Sequence, residues 1–394
     1  MQIMDNLTSD KCAGCSACMS VCPEGAITML PDDEGFLIPS INSGKCVECG
    51  LCKTVCTLGS YKASNGYNKA FAVYYDNDII RHNSASGAYF QALAEHFLSI
   101  GGYVCGCVLD NMKVKHIITN KLSDIRRMAD SKYVQSDLSD CFTKIGSLLS
   151  NGVSVLYSGT SCQTHGLKSY LAAVNIDTSG LLCVDFFCHG VPSPLIWKEY
   201  VKYIEKKKHK KAIDYRWRCK DYGWGKISRG RGFIGTVIYE NKGLRYDRSL
   251  LPRCWRQIFF SNIVLRRKCY SCEYCTVDKP ADITMGDFWK IEKVLPDFYD
   301  GKGTSLVIVH DPKHLKYVTE IDTLKYKETD VNDSLIGQMN AFQPSRPDPR
   351  RAEFWADYHS KGFDHVMRKY YIPPIRYIKE PVKKILFKMG LRNY

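Results

Sequence analysis

The sequence lacks the two features that would direct a chain out of the cell or into a membrane. It has no run of about 18 uninterrupted apolar residues that could span a bilayer. No basic-then-apolar segment precedes its first cysteines. We therefore expect a cytoplasmic protein. With 394 residues, 45% of them apolar and 12% aromatic, the chain can bury a sizeable core divided between two or three domains.

Cysteine, in contrast, is abundant, with 19 in the chain. The cytosol keeps thiols reduced, so repeated C-x-x-C spacing there indicates metal or redox chemistry rather than a disulfide framework. The stretch CAGCSACMSVCP, residues 12–23, spaces its cysteines as C-x-x-C-x-x-C-x-x-x-C before Pro23. CVECGLCKTVC, residues 46–56, repeats this spacing, but Thr57 stands where the proline would be.

This duplication is the pattern of bacterial two-cluster ferredoxins. In them, three cysteines of one run and the last cysteine of the other bind each [4Fe-4S] cluster. A zinc site usually takes four ligands in paired knuckles and does not account for two sets of four. We predict one cluster on Cys12, Cys15, Cys18 and Cys56, and another on Cys46, Cys49, Cys52 and Cys22.

The polar, glycine-containing stretch after Cys56 is predicted to be a linker, and a larger domain is expected to start near Lys69. Its predicted strands are AFAVYY, YVCGCVL, VSVLYSG, GLLCVDFFC, ADITMG and TSLVIVH. SASGAYFQALAEHFLSIGG and SPLIWKEYVKYIEKK are predicted to be helical. This alternation is typical of an α/β domain with a mixed sheet.

Short motifs in this domain fall at predicted strand ends or helix starts, where α/β proteins place ligands. In NSASGAYF, Ser84 or Ser86 can cap a helix and Gly87 allows close backbone approach, which favours a phosphate at the helix N-terminus. A capped helix with an early glycine is also common without any ligand. The other motifs are SKYVQS (131–136), SGTSCQTHGL (158–167), DFFCHGVPSP (185–194), CYSCEYC (269–275) and ADITMGDFW (281–289).

From about Ala70 to Gly303, this ordered set resembles the beta subunit of coenzyme F420 hydrogenase/dehydrogenase, a flavin and iron–sulfur family. The resemblance implies an FAD-containing domain. Archaeal members exchange a hydride with a deazaflavin, and other members are ferredoxin-dependent reductases of chlorophyll pigments. Bacterial members with the ferredoxin fusion resemble proteins linked to surface-polysaccharide synthesis. The motifs do not choose among these branches.

The resemblance also implies a third cluster near the flavin. The family's GTPC appears here as residues 159–162, with Ser161 in place of proline, and its C-H-G-V-P-S as residues 188–193. Cys275 extends the last motif to C-x-x-C-x-x-C and can replace one ligand, and a zinc ribbon is the alternative because spacing does not distinguish the metals. The implied ligands are Cys162, Cys188, Cys269 and Cys272.

Flavin contacts are implied by the same resemblance. His189 is a candidate contact to flavin or substrate, and Asp287 would position one of them. For Lys132 and Asp287, an ordinary salt bridge is equally expected. Pairs such as Cys162 with His165 also suit a nucleophile and its base, but the iron–sulfur pattern already explains the cysteines. The implied FAD-binding residues are Ser86, Gly87, Ala88, Lys132, Tyr133, Gln135, Ser136, Gly159 and Thr160.

The formal charge is +14. Three [4Fe-4S]2+ centres with four thiolates each, at about −2 apiece, would bring it to roughly +8. Basic residues concentrate in KYIEKKKHKK, in RWRCK and in the C-terminal tail, which interleaves them with apolar residues. The tail suits docking to an acidic partner such as a ferredoxin, or peripheral contact with an anionic membrane at its inner face. No base-reading module accompanies the charge, so nucleic acid is not an expected partner.

The sequence thus predicts an α+β protein: a ferredoxin-like domain with two [4Fe-4S] clusters (1–62), an α/β flavin-binding domain with a mixed sheet (68–340) and a basic helical tail (341–394). We predict an electron-transfer flavoenzyme. A ferredoxin or other one-electron donor would feed the clusters, and FAD would convert single electrons into pairs for a small organic substrate. The alternative is a non-enzymatic relay or adaptor subunit for a separate catalytic protein.

Overall fold

The computed structural model describes residues 10–62, 66–221, 223–224, 234–240, 245–247 and 249–372. The tail beyond residue 372, with its lysines at 383, 384 and 388, lies outside the described residues. The α helices, in chain order, are α1 (Ala17–Val21), α2 (Leu51–Thr54), α3 (Asp78–Asn83), α4 (Tyr89–Ser99), α5 (Leu122–Arg127), α6 (Cys141–Ser150), α7 (Ser161–Ala173), α8 (Pro194–Lys208), α9 (Leu250–Phe260), α10 (Ile291–Val294), α11 (Lys316–Thr319), α12 (Val331–Ser334), α13 (Arg351–Lys361) and α14 (Phe363–Val366).

The strands form three sheets within these residues. A hairpin of β1 and β2 belongs to the N-terminal domain, β8 to β10 form a three-stranded sheet, and the remaining strands form one large sheet. The strands are β1 (Ile27–Pro31), β2 (Leu37–Ile41), β3 (Lys69–Tyr75), β4 (Tyr103–Asp110), β5 (Lys113–Thr119), β6 (Val155–Ser158), β7 (Leu181–Phe186), β8 (Ala212–Cys219), β9 (Ile234–Tyr239), β10 (Arg245–Asp247), β11 (Ile283–Asp287), β12 (Ser305–Val309) and β13 (Leu324–Thr329).

The N-terminal domain repeats one small unit on either side of its hairpin. In each cysteine run, a short helix begins just before the third cysteine, after a residue in the left-handed conformation: Ser16 at φ 64° and Gly50 at φ 77°. Ile27 pairs with Ile41 in the antiparallel hairpin between the two units. The internal duplication predicted from the cysteine spacing is therefore present in the fold.

The large sheet is mixed, as predicted, with the strand order β13-β3-β12-β11-β7-β6-β4-β5. Strands β4, β6, β7 and β11 run parallel, and their neighbours on both sides are antiparallel. All six segments predicted as strands belong to this sheet. Strand β12 is buried along its whole length, which explains why its residues after Ser305 are all apolar.

Candidate site residues lie at the carboxyl ends of the parallel strands. Cys162 lies in the first turn of α7, just after β6, and Cys188 follows β7 by two residues. Asp287 ends β11, the strand beside β7. Since parallel strands end on the same side of a sheet, these residues share one edge, where α/β proteins commonly bind ligands.

The second sheet packs into a core that also takes in the C-terminal residues. Trp197 and Trp255 contact edge to face there, with ring centroids 4.8 Å apart. Phe354, from α13, and Val366, from α14, are buried in the same cluster. Residues 351–372 lie within the range predicted to be a tail, but their apolar face belongs to this core.

The hairpin of the N-terminal domain is fastened to the larger domain by a buried carboxylate. Glu34, in the turn between β1 and β2, accepts from Arg351 Nη1 at 2.7 Å and from Arg267 Nη2 at 2.9 Å. Only 7% of the Glu34 side chain and 11% of the Arg351 side chain are exposed. This contact fixes the ferredoxin-like domain against the main domain.

Candidate iron–sulfur centres and the adjoining basic site

The structure gathers Cys12, Cys15, Cys18 and Cys56, here called the first thiol group. Burial raises the pKa of Cys18 well above its ordinary value, and repulsion from the other three thiols adds to it. Burial likewise raises the pKa of Cys15 to about 12. The Gly14 backbone N–H donates to Cys12 Sγ at 3.3 Å. Four thiolates this close together repel one another, and the positive charge of a bound iron–sulfur core would compensate that repulsion.

Cys22, Cys46, Cys49 and Cys52 form the second thiol group and line one cavity of the N-terminal domain. Burial raises the pKa of Cys52, and Cys49, Cys22 and Cys46 raise it further by repulsion. The Ala26 N–H donates to Cys22 Sγ at 3.3 Å. Cys49 is exposed, whereas Cys12 and Cys18 of the first group are buried. The second group is therefore the one nearer the surface.

The third thiol group is formed by Cys162, Cys188, Cys269 and Cys272, which come from three distant parts of the sequence. Burial raises the pKa of Cys188 well above its ordinary value, with further repulsion from Cys269, Cys162 and Cys272. A hydrogen bond with Cys275 lowers the pKa of Cys272 to about 7 and raises that of Cys275. Cys275 therefore lies in hydrogen-bond contact with Cys272, and the choice between them as the fourth ligand stays a prediction.

The donors of all three groups suit an iron–sulfur cluster. Among the described residues, no three His, Cys, Asp or Glu side chains are close enough to share a single metal ion. Each thiolate of a [4Fe-4S] cubane binds a different iron, so its thiolates stand farther apart than the ligands of one ion. Soft thiolates held by short loops and strand ends are the ligands that such clusters use.

The first and third thiol groups meet at one turn of α7. Cys162 lies in the first turn of that helix, and Gly166 lies one turn later on the same face. A Cβ atom on Gly166 would be 2.9 Å from Cys15 Sγ. Repulsion from Cys162 also contributes to the raised pKa of Cys15, after burial and Cys12. Cys162 of the third thiol group and the contact of Gly166 with Cys15 of the first are therefore one helical turn apart.

A basic site adjoins the third thiol group at the end of β11. Arg218 on β8 donates from both Nη atoms to the Asp287 carboxylate, at 2.6 Å and 2.8 Å. Lys220 Nζ donates to the carbonyl oxygens of Arg81, at 2.6 Å, and of Ser86. Burial, aided by the charges of Arg218 and Arg81, lowers the pKa of Lys220 to about 7. The site thus contains one oriented guanidinium, paired with Asp287, and a lysine that is close to neutral at pH 7.

Some predicted flavin contacts surround this basic site. Ser86 reaches it through its carbonyl, although its Oγ donates to Thr304 O at 2.7 Å and does not cap α4, whose N-cap is Ala88. Lys132 Nζ donates to Asp130 O at 2.7 Å. Burial raises the pKa of Tyr133, and the charges of Arg218 and Asp287 also act on this phenol.

Gly87 makes a close backbone approach, but to the sheet. Its N–H donates to Ser305 Oγ at 3.0 Å, and its carbonyl accepts from Tyr75 N at 2.8 Å. A Cβ atom there would lie 2.5 Å from Ser305 N and still closer to Val73 O. In this structure, the glycine allows the chain before α4 to pack against the paired strands β3 and β12 where Val73 lies opposite Ser305.

The other predicted flavin contacts lie beside Cys162. Thr160 Oγ1 is 3.1 Å from Cys162 Sγ, and Thr160 forms a capping box with Gln163. Gln163 Nε2 donates to Ser136 Oγ at 3.0 Å. Gln135 Oε1 accepts from Leu37 N at 3.2 Å, in the N-terminal domain. The Gly159 N–H donates to Val184 O at 3.2 Å. The predicted set thus divides between the basic site and the third thiol group.

His189 hydrogen-bonds away from its cysteine neighbour. Its Nε2 lies 2.7 Å from Asn262 Oδ1, and its Nδ1 lies 3.3 Å from Ser345 Oγ. His165 Nδ1 lies 3.0 Å from Tyr274 Oη. These contacts position both imidazoles by hydrogen bonds to other side chains, so the geometry gives no support to a cysteine nucleophile with a histidine base.

Sequence reasoning did not select Arg218, Lys220, Gly166 or Arg266 as site residues. A signal existed for the first two, because alternate residues of a strand share a face and RWRCK places a basic residue at every second position. Gly166 and Arg266 act through contacts with the N-terminal domain, which no local pattern shows.

The chain matches two family models. Residues 11–60 match the 4Fe-4S dicluster domain, and residues 153–334 match the C-terminal domain of the coenzyme F420 hydrogenase/dehydrogenase beta subunit. A chain in a xenon-derivatised structure of the F420-reducing [NiFe] hydrogenase complex from Methanosarcina barkeri is 14% identical, with a TM-score of 0.46; the alignment covers 71% of this chain and 92% of that one. No curated protein sequence matches this chain.

Proposed function

Because this chain joins a 4Fe-4S dicluster domain to the C-terminal domain of the coenzyme F420 hydrogenase/dehydrogenase beta subunit family, we propose that it is an iron–sulfur flavoenzyme. In this proposal it takes single electrons from a protein donor and delivers electron pairs to a small organic molecule. The observation that carries the proposal is the arrangement of three thiol groups from the exposed Cys49 to the strand ends beside Asp287.

The order of the thiol groups supports a relay. The second group is nearest the surface, and α1 and α2, which carry Cys18 and Cys52, pack against each other. The first group is buried and meets the third at Gly166. A protein donor would therefore dock on the side of Cys49.

The basic site supports FAD as the group beyond the third thiol group. Arg218 and Trp224 are the groups of this site that we assign to the dinucleotide, and the Trp224 Nε1–H is buried with no hydrogen-bond partner among the described residues. The Arg81 guanidinium is paired with Asp300, and Lys220 Nζ donates to three carbonyl oxygens, so these two side chains border the site. Only 5% of the Arg218 side chain is exposed. FAD held here would supply the conversion between one-electron and two-electron transfer.

The Asp287–Arg218 pair has a defined part in this proposal. Two parallel hydrogen bonds fix the guanidinium plane at the end of β11, and Gln338 Nε2 donates to the Asp287 carbonyl. A paired, planar cation can orient an anionic or carbonyl-bearing ligand without moving. His189, held by Asn262 and Ser345, would shape the same edge of the site next to Cys188.

The proposal also includes an electron donor and a peripheral contact with an anionic membrane. Among the described helices, none is long and apolar enough to cross a bilayer. In this proposal, a ferredoxin-like donor docks at the second thiol group, where Cys49 is exposed, and the substrate belongs to surface-polysaccharide synthesis. The second candidate function is an electron-relay subunit that serves a separate catalytic protein. The three thiol groups extend from the N-terminal domain into the main domain, and this arrangement also suits a relay.

Analysis of the anaerobically purified chain tests the proposal. We expect roughly twelve iron atoms and as many acid-labile sulfides per chain, from three cubanes, and stoichiometric FAD released on denaturation. Zinc in place of iron would overturn the iron–sulfur assignment. Full iron without any flavin, before and after incubation with FAD, would leave only the relay function.

A further inference from the structure

Arg266 is a buried cation that joins the N-terminal domain to the third thiol group. Only 1% of the residue is exposed. Its Nη1 donates to the carbonyl of Cys12 at 2.7 Å, and its Nη2 donates to the carbonyl of Leu37 at the same distance. Its own backbone carbonyl accepts from Cys269 N at 2.9 Å. Arg266 therefore contacts a residue of the first thiol group and a residue of the third.

The neighbours of Arg266 give it no carboxylate. Its hydrogen-bond acceptors in the described structure are neutral: two backbone carbonyls and the amide oxygen of Gln135 at 3.1 Å. Its Nε–H has no partner among the described residues. Glu34, the nearby buried acid, is taken by Arg267 and Arg351. A buried guanidinium without a negative partner costs several kcal/mol.

Cluster-bound thiolates would supply the missing negative charge. The Arg266 guanidinium attracts negative charge at Cys269 and at Cys162. A Cβ atom on Gly14, within the first cysteine run, would lie 2.7 Å from Arg266 Nη2. The guanidinium is also held over the Phe36 ring, 5.0 Å from its centroid, which fixes its position. A fixed, dry cation acts strongly on charge that develops nearby.

We propose that Arg266 is the counter-charge shared by the first and third thiol groups and raises the reduction potential of the iron–sulfur clusters that they bind. The inference rests on the proposed function. Each reduction adds one electron and one negative charge to a cluster, with no bond made or broken. A nearby positive charge stabilises the reduced form, and hydrogen bonds and charges around the ligands are known to set cluster potentials. Arg266 is a positioning residue in this scheme.

The test compares Arg266→Gln and Arg266→Lys with Arg267→Gln in the full chain. Arg267 is the adjacent residue, but its side chain is half exposed and pairs with Glu34, so its loss is the matched control. Dithionite reduces the clusters, and redox titration followed by electron paramagnetic resonance gives their midpoint potentials. Cys49→Ala identifies the signal of the second thiol group.

Arg266→Gln should keep the iron content but shift the potentials of the first and third clusters downwards, while the second cluster stays unchanged. Arg266→Lys should restore part of the shift, and Arg267→Gln should show none. Full iron with unchanged potentials in Arg266→Gln overturns this inference alone. If Arg266→Gln fails to fold, Arg266→Lys decides through its pH dependence, because a buried lysine can lose its charge and an arginine cannot. As the pH rises, the potentials of the first and third clusters should fall more in Arg266→Lys than in the wild type, and parallel pH dependence in the two proteins overturns the inference. Wild-type protein without iron defeats the proposed function instead.

Discussion

Cys15 Sγ lies 2.9 Å from the point that a Cβ atom on Gly166 would occupy, so the absence of a side chain at Gly166 lets the two domains meet here. The helix α7 that carries Gly166 begins at Ser161, next to Cys162 of the third thiol group. One glycine therefore determines how closely the first and third groups approach. This contact between Cys15 and Gly166 brings the N-terminal cysteine motif close to the end of β6, which α7 follows.

Gly166→Ala should separate these two groups. Alanine usually stabilises a helix interior by about 1 kcal/mol relative to glycine, but here its methyl must displace Cys15 and the backbone that carries it. We expect lower iron occupancy of the first thiol group and weaker magnetic coupling between the first and third clusters, measured by electron paramagnetic resonance.

Gly146→Ala is the matched control for that experiment. Gly146 lies inside α6, and the nearest atom to its added Cβ would be Ile176 Cδ1, the movable end of a side chain, at 2.8 Å. Iron content and coupling should stay as in the wild type. Equal behaviour of the two variants would contradict the role given to Gly166.

Cys188→Ser should remove the third cluster and leave the other two. Cys188 lies close enough to Cys269, Cys162 and Cys272 to interact with them electrostatically, and a [4Fe-4S] cluster takes one thiolate at each of its four irons. We expect the iron content to fall by about four atoms per chain, with N-terminal signals still reducible by dithionite and flavin reduction through the chain abolished.

Cys107→Ser provides the comparison, since Cys107 is a partly buried thiol outside the three groups. Its iron content and its rate of flavin reduction should match those of the wild type. Normal flavin reduction in Cys188→Ser would leave the third thiol group without a part in the relay.

Glu34→Gln should loosen the ferredoxin-like domain from the main domain. The variant leaves Arg351 buried without its negative partner, and removing one member of a buried pair costs about 3–5 kcal/mol. A lower urea midpoint and faster loss of iron to a chelator are expected. Lys144→Gln, which breaks an exposed pair with Asp140, should change the unfolding free energy by less than about 1 kcal/mol. Similar iron loss in both variants would show that Glu34 does not fasten the domain.

Local patterns in the sequence were enough for the N-terminal domain and most of the large sheet. The first and second thiol groups follow from spacing within two short runs. Strands such as β12 are recognisable because both faces are buried, which makes all of its residues after Ser305 apolar. Strand β13 was not predicted, since only Leu324 of its residues is buried and the rest of this edge strand is polar.

The contacts between distant segments could not be read from the sequence. Cys162, Cys188 and Cys269 were grouped only through a family resemblance, because no local rule brings three strand ends and loops together. The buried position of Arg266 depends on the hairpin residue Leu37 and on Gln135, far apart in the chain. In the structure, the amide oxygen of Gln135 accepts from Arg266 and from Leu37 N, and its flavin contact stays a prediction.

His116 on β5 should make the fold sensitive to mild acid. Its Nε2–H donates to Ser158 O at 2.9 Å, at the end of β6, while Nδ1 has no partner in the described part of the chain. Burial lowers the pKa of His116 from 6.5 to about 4. Below about pH 6.5, His116 is therefore protonated in the unfolded chain, but in the folded chain it stays neutral until the pH falls to about 4. The stability supplied by neutral His116 is complete above pH 6.5 and is lost as the pH falls towards 4.

His116→Gln isolates this effect, because glutamine keeps an N–H for Ser158 O but does not titrate. Between pH 7 and pH 5, the wild type should lose about 2 kcal/mol more unfolding free energy than the variant, from a shift of that size. Urea unfolding at the two pH values measures the difference. His310, whose pKa is also lowered to about 4 by burial, is present in both proteins and cancels. Parallel pH dependence in the two proteins would mean that His116 accepts its proton without opening the contact with Ser158.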